Sequence, residues 1–171
     1  MKTVRNIGVL LLVALGLAAC RTVSDNAVSR NLKNIDHVPE STIGFDDSSW
    51  ESVSLPHTAN LEPLVVNDQW QGICWYRKSF NVGEEWAGKK IFLTLEGAMS
   101  SSQLFINGRF AKERAGGYLP VVIDATDFLM PGQTNLLAVR LDNQDNPLTG
   151  PKPLKKLDFC MYGGLYRNVL I

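Results

Sequence analysis

The chain has few of the residue types that hold metals or activate nucleophiles. Its 171 residues include only two histidines and three cysteines, with no Cys-x-x-Cys pair and no histidine cluster, so no zinc site is expected. It also lacks a Gly-x-Ser-x-Gly motif, a phosphate-binding glycine loop and a dinucleotide fingerprint. Seventeen basic residues balance 17 acidic ones, and no basic run is present, which argues against a nucleic-acid partner. We therefore expect no cofactor, no metal and no nucleic acid.

The first residues have the layout of a secretory signal peptide. Lys2 and Arg5 precede an apolar stretch that runs from Ile7 to Cys20. These 14 residues are shorter than the roughly 20 that a membrane-spanning helix needs, so the spanning alternative is less favoured. The small residues that end at Cys20 resemble a bacterial lipoprotein signal. We predict a signal peptide over 1–19, lipidation of Cys20, and a lipid-anchored protein of the cell envelope, in the periplasm or at the outer membrane.

The two other cysteines leave two interpretations open. Cys74 and Cys160 could form a disulfide in an oxidising periplasm. Alternatively, both are buried thiols that pack as small hydrophobic side chains, and this is the favoured interpretation.

Beyond the leader, the pattern is that of an all-β protein. Residues 20–43 are polar and without periodicity, which predicts a tether, whereas residues 44–171 contain short segments that alternate apolar and polar side chains. Asn107-Gly108 is typical of a type I′ hairpin turn, because both of its central residues need positive φ. Seven or eight short strands without an amphipathic helix predict a two-sheet β-sandwich of the jelly-roll type.

The longest unpatterned stretch runs from Asn143 to Gly164, and a loop of this length is often functional. Near its end, Asp158 stands among aromatic residues. A carboxylate can accept two hydroxyl hydrogen bonds while aromatic faces stack on a sugar ring. From the residues alone, the favoured interpretation is a solvated turn residue, since that is the more common role of a loop aspartate.

Several motifs, in order along the chain, resemble the N-terminal sugar-binding domain of glycoside hydrolase family 2, which includes β-galactosidases and β-glucuronidases. They are Leu55-Pro56-His57, Trp75-Tyr76-Arg77, Gly116-Gly117-Tyr118 with Pro120 and Asp124, and Gly163-Gly164-Leu165-Tyr166-Arg167. The resemblance covers roughly residues 44 to 171. It implies a galactose-binding-like jelly roll that continues, in the family, into an immunoglobulin-like domain and a TIM barrel.

The resemblance also assigns roles. In this family, an aspartate six residues before the second glycine of the Gly-Gly turn contacts a sugar hydroxyl, and Asp158 stands six before Gly164. Asn60 is a second, weaker candidate for substrate binding, since its spacing does not align well. The remaining motif residues are expected to serve the fold: Arg77 pairs with a carboxylate across the sheet or at a domain boundary, His57 packs at a turn, and Tyr118 caps the sheet.

No catalytic residue is expected in this chain. Retaining glycoside hydrolysis needs two carboxyl groups about 5–5.5 Å apart. The resembled family carries both on a barrel of about 250 residues, for which 171 residues leave no room. The prediction is the sugar-binding part of a family 2 β-glycosidase, inactive alone, with a β-glycoside and the absent domains as partners and the membrane reached through lipid. The alternatives are a free-standing carbohydrate-binding lipoprotein and a structural assembly domain.

Overall fold

A computed structural model of the chain describes residues 18–23, 38–60, 70–144 and 161–171. The described residues form nine strands and two short 3₁₀ turns, at Pro39–Ser41 and Glu84–Trp86. The strands are β1 Ala18–Val23, β2 Glu51–Val53, β3 Ile73–Asn81, β4 Phe92–Leu95, β5 Ser101–Ile106, β6 Arg109–Ala115, β7 Val121–Asp124, β8 Thr134–Asp142 and β9 Val169–Leu170.

The strands form two antiparallel sheets. The larger has the order β2-β1-β3-β8-β5-β6 and the smaller the order β7-β4-β9. Strands β3 and β8 pair along their whole length, from Ile73 opposite Asp142 to Asn81 opposite Thr134. The predicted two-sheet β-sandwich is confirmed.

The central strand β3 is covered on both faces, which explains its continuous burial from Ile73 to Arg77. Successive side chains of a strand point to opposite faces. Cys74 and Tyr76 therefore enter the core between the sheets, whereas Trp75 packs on the outer face. A second cluster covers that outer face and contains Trp50, Ile73, Trp75, Phe105 and Ala138, with Val38 and Phe45 against it.

Arg77 also lies on the outer face and is 4% exposed. Its Nε donates to Asp47 Oδ2 at 2.8 Å, and its Nη1 donates to the carbonyl oxygens of Glu40 and Thr42. The guanidinium also lies 5.4 Å from the ring centre of Phe45. A buried guanidinium needs such partners to offset its desolvation. The predicted pairing with a carboxylate is confirmed, and the carboxylate belongs to the segment before β2.

The N-terminal region differs from the predicted tether over 20–43. Ala18–Val23 forms a strand between β2 and β3, and Ser41 is buried in the segment that binds Arg77. The structured part of the chain thus includes residues before the predicted boundary at 44, because main-chain pairing and carbonyl contacts to Arg77 do not require apolar periodicity. In the part of the chain that the structure describes, no helix is long and apolar enough to cross a membrane.

The Asn107-Gly108 turn has the predicted geometry. Its φ angles are 52° and 79°, and it joins β5 to β6. Asn107 Nδ2 donates to the carbonyl oxygen of Phe128 and to Asn135 Oδ1, while its Oδ1 accepts from the Leu136 amide. The turn is thereby tied to the segment before β8.

Candidate functional site

The residues that border 61–69 and 145–160 lie together at one end of the sandwich, which we call the root end. It comprises residues 55–60, 70–72, 97–101, 116–120, 142–144 and 161–166. The Ala59 amide donates to the carbonyl oxygen of Gly163 at 2.7 Å, and the Met99 amide donates to that of Gly164 at 3.0 Å. Segments 61–69 and 145–160 both start and finish at this end. It is therefore the part of the molecule from which any site formed by these two segments must be built.

Gly164 lies where no other residue fits. Its φ is +130°, and a Cβ built on it would lie 2.6 Å from the carbonyl oxygen of His57 and 2.8 Å from Tyr76 Oη. A side chain here would be strained by the backbone and would clash with main-chain atoms. The Gly-Gly motif thus brings the chain that leaves segment 145–160 directly against the 57–59 segment.

A second contact at the root end centres on Asn143, which is 4% exposed. Its Oδ1 accepts from the Gly72 amide at 2.8 Å, and its Nδ2 donates to the carbonyl oxygen of Trp70 at 3.0 Å. A Cβ on Gly163 would lie 2.9 Å from the Asn143 side-chain amide. We call these four residues, Trp70, Gly72, Asn143 and Gly163, the Asn143 clasp.

His57 serves as a packing residue at the same end, as predicted. Its Nδ1 lies 2.8 Å from Tyr76 Oη, and the rings meet edge to face at 5.7 Å. Burial lowers the pKa of His57, because an apolar setting disfavours the imidazolium, and the charge of Glu51 opposes this in part. Neutral His57 is therefore the form that the fold favours.

The prediction that Tyr118 caps the sheet is wrong, because the side chain is 61% exposed. The turn itself is held by Gly117, whose carbonyl oxygen accepts from Tyr166 Oη and where an added Cβ would collide with the Met99 side chain. Gly116 has φ +98°, so the two glycines serve a tight turn as expected. Burial raises the pKa of Tyr166, with Arg167 opposing. The tyrosine that anchors this turn is thus Tyr166, and Tyr118 projects outward beside Leu119.

Of the two predicted sugar contacts, the described residues include only Asn60. Asp158 lies outside the described residues, as does Cys160, so neither the contact nor the Cys74–Cys160 pairing is tested; Cys74 itself is 1% exposed. Asn60 is exposed at the root end, one residue after Ala59. Cys20 lies in β1, opposite Glu51 and Tyr76.

The carboxylates of the described strands are held apart. Asp124 pairs with Lys90 at 2.8 Å, and hydrogen bonds from Lys90 and Thr126 lower its pKa to about 2. Asp142 belongs to the root end, 3.5 Å from Arg140, whereas Asp124 lies at the opposite end of the smaller sheet. Among the described residues, no three metal-binding side chains cluster. These groups stabilise turns and strand ends, which is a structural role.

Sequence reasoning missed Trp70, and it identified Asn143 only as the start of the long unpatterned stretch. Asn143 does follow β8, and the Gln144 amide bonds Asp142 Oδ1 there at 3.0 Å. The contact with Trp70 spans 73 positions, however, and no local pattern encodes it. The one available signal was the position of Asn143 at the start of the long unpatterned stretch.

Comparison with known proteins agrees with this architecture. Residues 29–171 match the family described as "Glycosyl hydrolases family 2, sugar binding domain". A β-galactosidase of Thermoanaerobacter pseudethanolicus is 36% identical over 128 residues, which are 73% of this chain and 17% of the relative. A β-glucuronidase of Bacteroides fragilis is 36% identical over 123 residues, 68% of this chain and 17% of the relative.

A solved structure shows the same fold. The crystal structure of Bacteroides uniformis β-glucuronidase superposes with a TM-score of 0.72 at 31% identity, over 88% of this chain and 16% of that one. The chain therefore spans about one sixth of the length of these relatives, and single domains of this size are common. The sequence match and the two-sheet sandwich lead to one conclusion: the chain belongs to glycosyl hydrolase family 2, as a sugar-binding domain of that family.

Proposed function

We propose that this domain forms one wall of the substrate pocket of a β-glycosidase and contacts the sugar through Asp158. The observation that carries the proposal is the family match over residues 29–171 combined with the contacts at the root end between Ala59 and Gly163 and between Asn143 and Trp70. Relatives that align with this chain are β-galactosidases and β-glucuronidases. A β-galactoside or a β-glucuronide is thus the proposed ligand class.

We expect this domain to bind the sugar and not to cleave it. A carboxylate such as that of Asp158 accepts hydrogen bonds from two neighbouring hydroxyl groups and so orients a pyranose. Asn60, exposed at the root end, is the second proposed contact. In the proposal, the two carboxyl groups that cleave the glycosidic bond come from an immunoglobulin-like and barrel portion that this chain does not contain.

The decisive experiment uses the reading frame beyond codon 171. If it continues in frame, the complete polypeptide is assayed on aryl β-galactoside and β-glucuronide. Asp158→Asn should then lower kcat/KM by about tenfold or more, since about 1.4 kcal/mol of transition-state binding is lost. Asp145→Asn is the matched control, because Asp145 is in the same segment but outside the motif. Equal effects of the two variants would remove Asp158 from the site.

A free-standing carbohydrate-binding protein remains the alternative function for the chain as it stands. It is tested by calorimetric titration of residues 20–171 with methyl β-galactoside and methyl β-glucuronide. Heat that saturates, and that Asp158→Asn abolishes, supports binding without catalysis. No heat at millimolar sugar would rule out this alternative, and it would leave the pocket-wall proposal to the assay of the complete polypeptide.

We also propose that Cys20 is lipidated and that the protein is anchored in the cell envelope. Cleavage before Cys20 would remove Ala18 and Ala19, which pair with Val53 and Ser52, but would leave the pairs from Cys20 to Val23 with β3. If residues 20–43 act as a tether, β1 must leave the sheet. If β1 stays paired with β3, the lipid on Cys20 lies close to the domain. Labelled palmitate should enter the wild type but not Cys20→Ala, and equal labelling would disprove lipidation at this residue.

A further inference from the structure

The two sheets differ in what lies on their outer faces. Residues from segment 38–50 pack on the outer face of the larger sheet. In the smaller sheet, Leu93 and Ile123 enter the core, so alternation puts Phe92 of β4 and Val122 of β7 on the outer face. Phe92 is 52% exposed and Val122 is 46% exposed. The smaller sheet thus presents large apolar side chains to solvent.

These exposed side chains are neighbours on one surface. Val122 lies opposite Thr94, and Phe92 lies opposite Asp124, so Phe92 and Val122 are diagonal neighbours across two strands. On the other side of β4, Leu170 of β9 lies opposite Thr94 and continues the same row. We call Phe92, Thr94, Val122 and Leu170 the β4 face. An apolar surface that crosses three strands is typical of an interaction site, whereas single exposed residues are not.

The edge of β4 that faces β9 is paired over only part of its length. Among the described residues, β9 supplies partners to Thr94 and Leu95, and the Glu96 amide donates to the carbonyl oxygen of Asn168 at 3.0 Å. Residues two apart in an antiparallel strand direct their N–H and C=O groups to the same side. Phe92 therefore directs these groups toward the side of β9, beyond the last pair that β9 makes. We call this the Phe92 edge.

The other borders of the β4 face are closed. At the opposite edge of the sheet, Lys112 Nζ donates to the carbonyl oxygen of Val122 at 2.7 Å, and an edge lysine is a common means of blocking strand addition. Beside Phe92, the charge of Asp124 is paired with Lys90 at 2.8 Å. An apolar centre with a polar rim is the usual arrangement of a protein interface. The Phe92 edge is the border of this face at which a strand can be added.

We propose that the Phe92 edge and the β4 face bind a β-strand from polypeptide outside residues 1–171. The added strand lies beside β4 in line with β9, its main chain pairs with Phe92, and its apolar side chains cover Phe92 and Val122. This chain spans 17% of a β-galactosidase relative and 16% of a solved β-glucuronidase. The occupant to which we commit is the further polypeptide that such proteins carry. The proposal shares with the proposed function the premise of further polypeptide, but it depends on no sugar contact.

The test compares the 171-residue chain with the polypeptide that is read in frame past codon 171. Both are oxidised briefly with hydroxyl radicals, and the oxidised side chains are located by mass spectrometry. Phe92 should be oxidised about fivefold more slowly in the longer polypeptide, because its exposed fraction should fall from 52% to roughly 10% in a packed interface. Ile43, which is 63% exposed on segment 38–50, is the control and should react equally in both.

Equal oxidation of Phe92 in the two polypeptides, or a reading frame that stops at codon 171, would overturn the proposal. Protection of Ile43 to the same degree as Phe92 would also overturn it, since the shielding would then be general. If the 171-residue chain instead forms dimers that Phe92→Lys disrupts, the occupant is a second copy, and the proposal is wrong about its partner.

Two variants separate docking from folding. Phe92→Lys puts a charge on the β4 face, and Ile43→Lys puts one at an exposed apolar position elsewhere. In the 171-residue chain both should unfold at the wild-type temperature, because each side chain already lies largely in solvent. In the longer polypeptide, Phe92→Lys alone should lower the unfolding temperature of this domain, by about 2–4 °C. Equal temperatures for the two variants there would contradict docking at Phe92. A longer polypeptide that protects Phe92 but cleaves neither glycoside would remove the proposed function and leave this interface in place.

Discussion

The two ends of this sandwich are closed by different means. At the end opposite the root end, which we call the hairpin end (residues 106–109 and 126–136), Asn107 and Asn135 tie short turns together by hydrogen bonds that span from 2 to 29 positions. At the root end, glycines and Asn143 hold together segments that are more than 70 positions apart. The root end therefore depends on contacts between segments that are widely separated in sequence, whereas the hairpin end depends on contacts between neighbouring turns.

The largest loss of stability is expected when a side chain is added at Gly164, in the root end. Gly164→Ala places a Cβ 2.6 Å from the His57 carbonyl oxygen at a φ of +130°. Gly116→Ala is the matched control, because its φ is +98° but nothing lies within 4 Å. We expect about 1–2 kcal/mol of destabilisation at Gly116 from backbone strain, and about 1–3 kcal/mol more at Gly164 from overpacking. Urea unfolding measures both, and equal costs would show that close packing at Gly164 is unimportant.

An intermediate effect is expected at the hairpin end. Asn107→Gly keeps the positive φ of the turn, which glycine adopts without strain, but removes the bonds to Phe128, Asn135 and Leu136. The free energy of unfolding should fall by about 1–3 kcal/mol, since buried partners are left unpaired. Any sugar affinity should remain as in the wild type. A loss of affinity here would contradict the functional separation of the two ends.

The smallest effect is a pH dependence that belongs to the root end. Burial lowers the pKa of His57 below the usual value for a histidine, about 6.5, so as the pH falls the unfolded chain takes up a proton before the folded chain does. Stability should therefore be fully present above about pH 6.5 and decrease as the pH falls through the lowered value. His57→Gln should remove this part of the slope. Thermal unfolding of both proteins at several pH values measures the difference, and identical slopes would contradict the lowered pKa.

Much of the fold could be predicted because strand signals are local. Alternating apolar and polar side chains predicted short strands within 44–171, and Asn107-Gly108 predicted its own turn, since two residues suffice to determine φ preference. The candidate site was less predictable. Tyr118 is exposed, and the tyrosine that bonds the same turn is Tyr166, 49 positions after Gly117, a contact that no local pattern predicts.

The sequence by itself determined the β-sandwich through strand patterns that span a few positions, and the family through short motifs in order along the chain; from the family followed the carboxylate partner of Arg77. Only the tertiary structure decided that Asp47 is that carboxylate, that residues 18–23 and 38–50 complete the larger sheet and its outer face, and that Asn143 meets Trp70 and Gly163. These contacts arise when distant segments pack on a common sheet. Their geometry depends on the space between the segments, which no local pattern encodes.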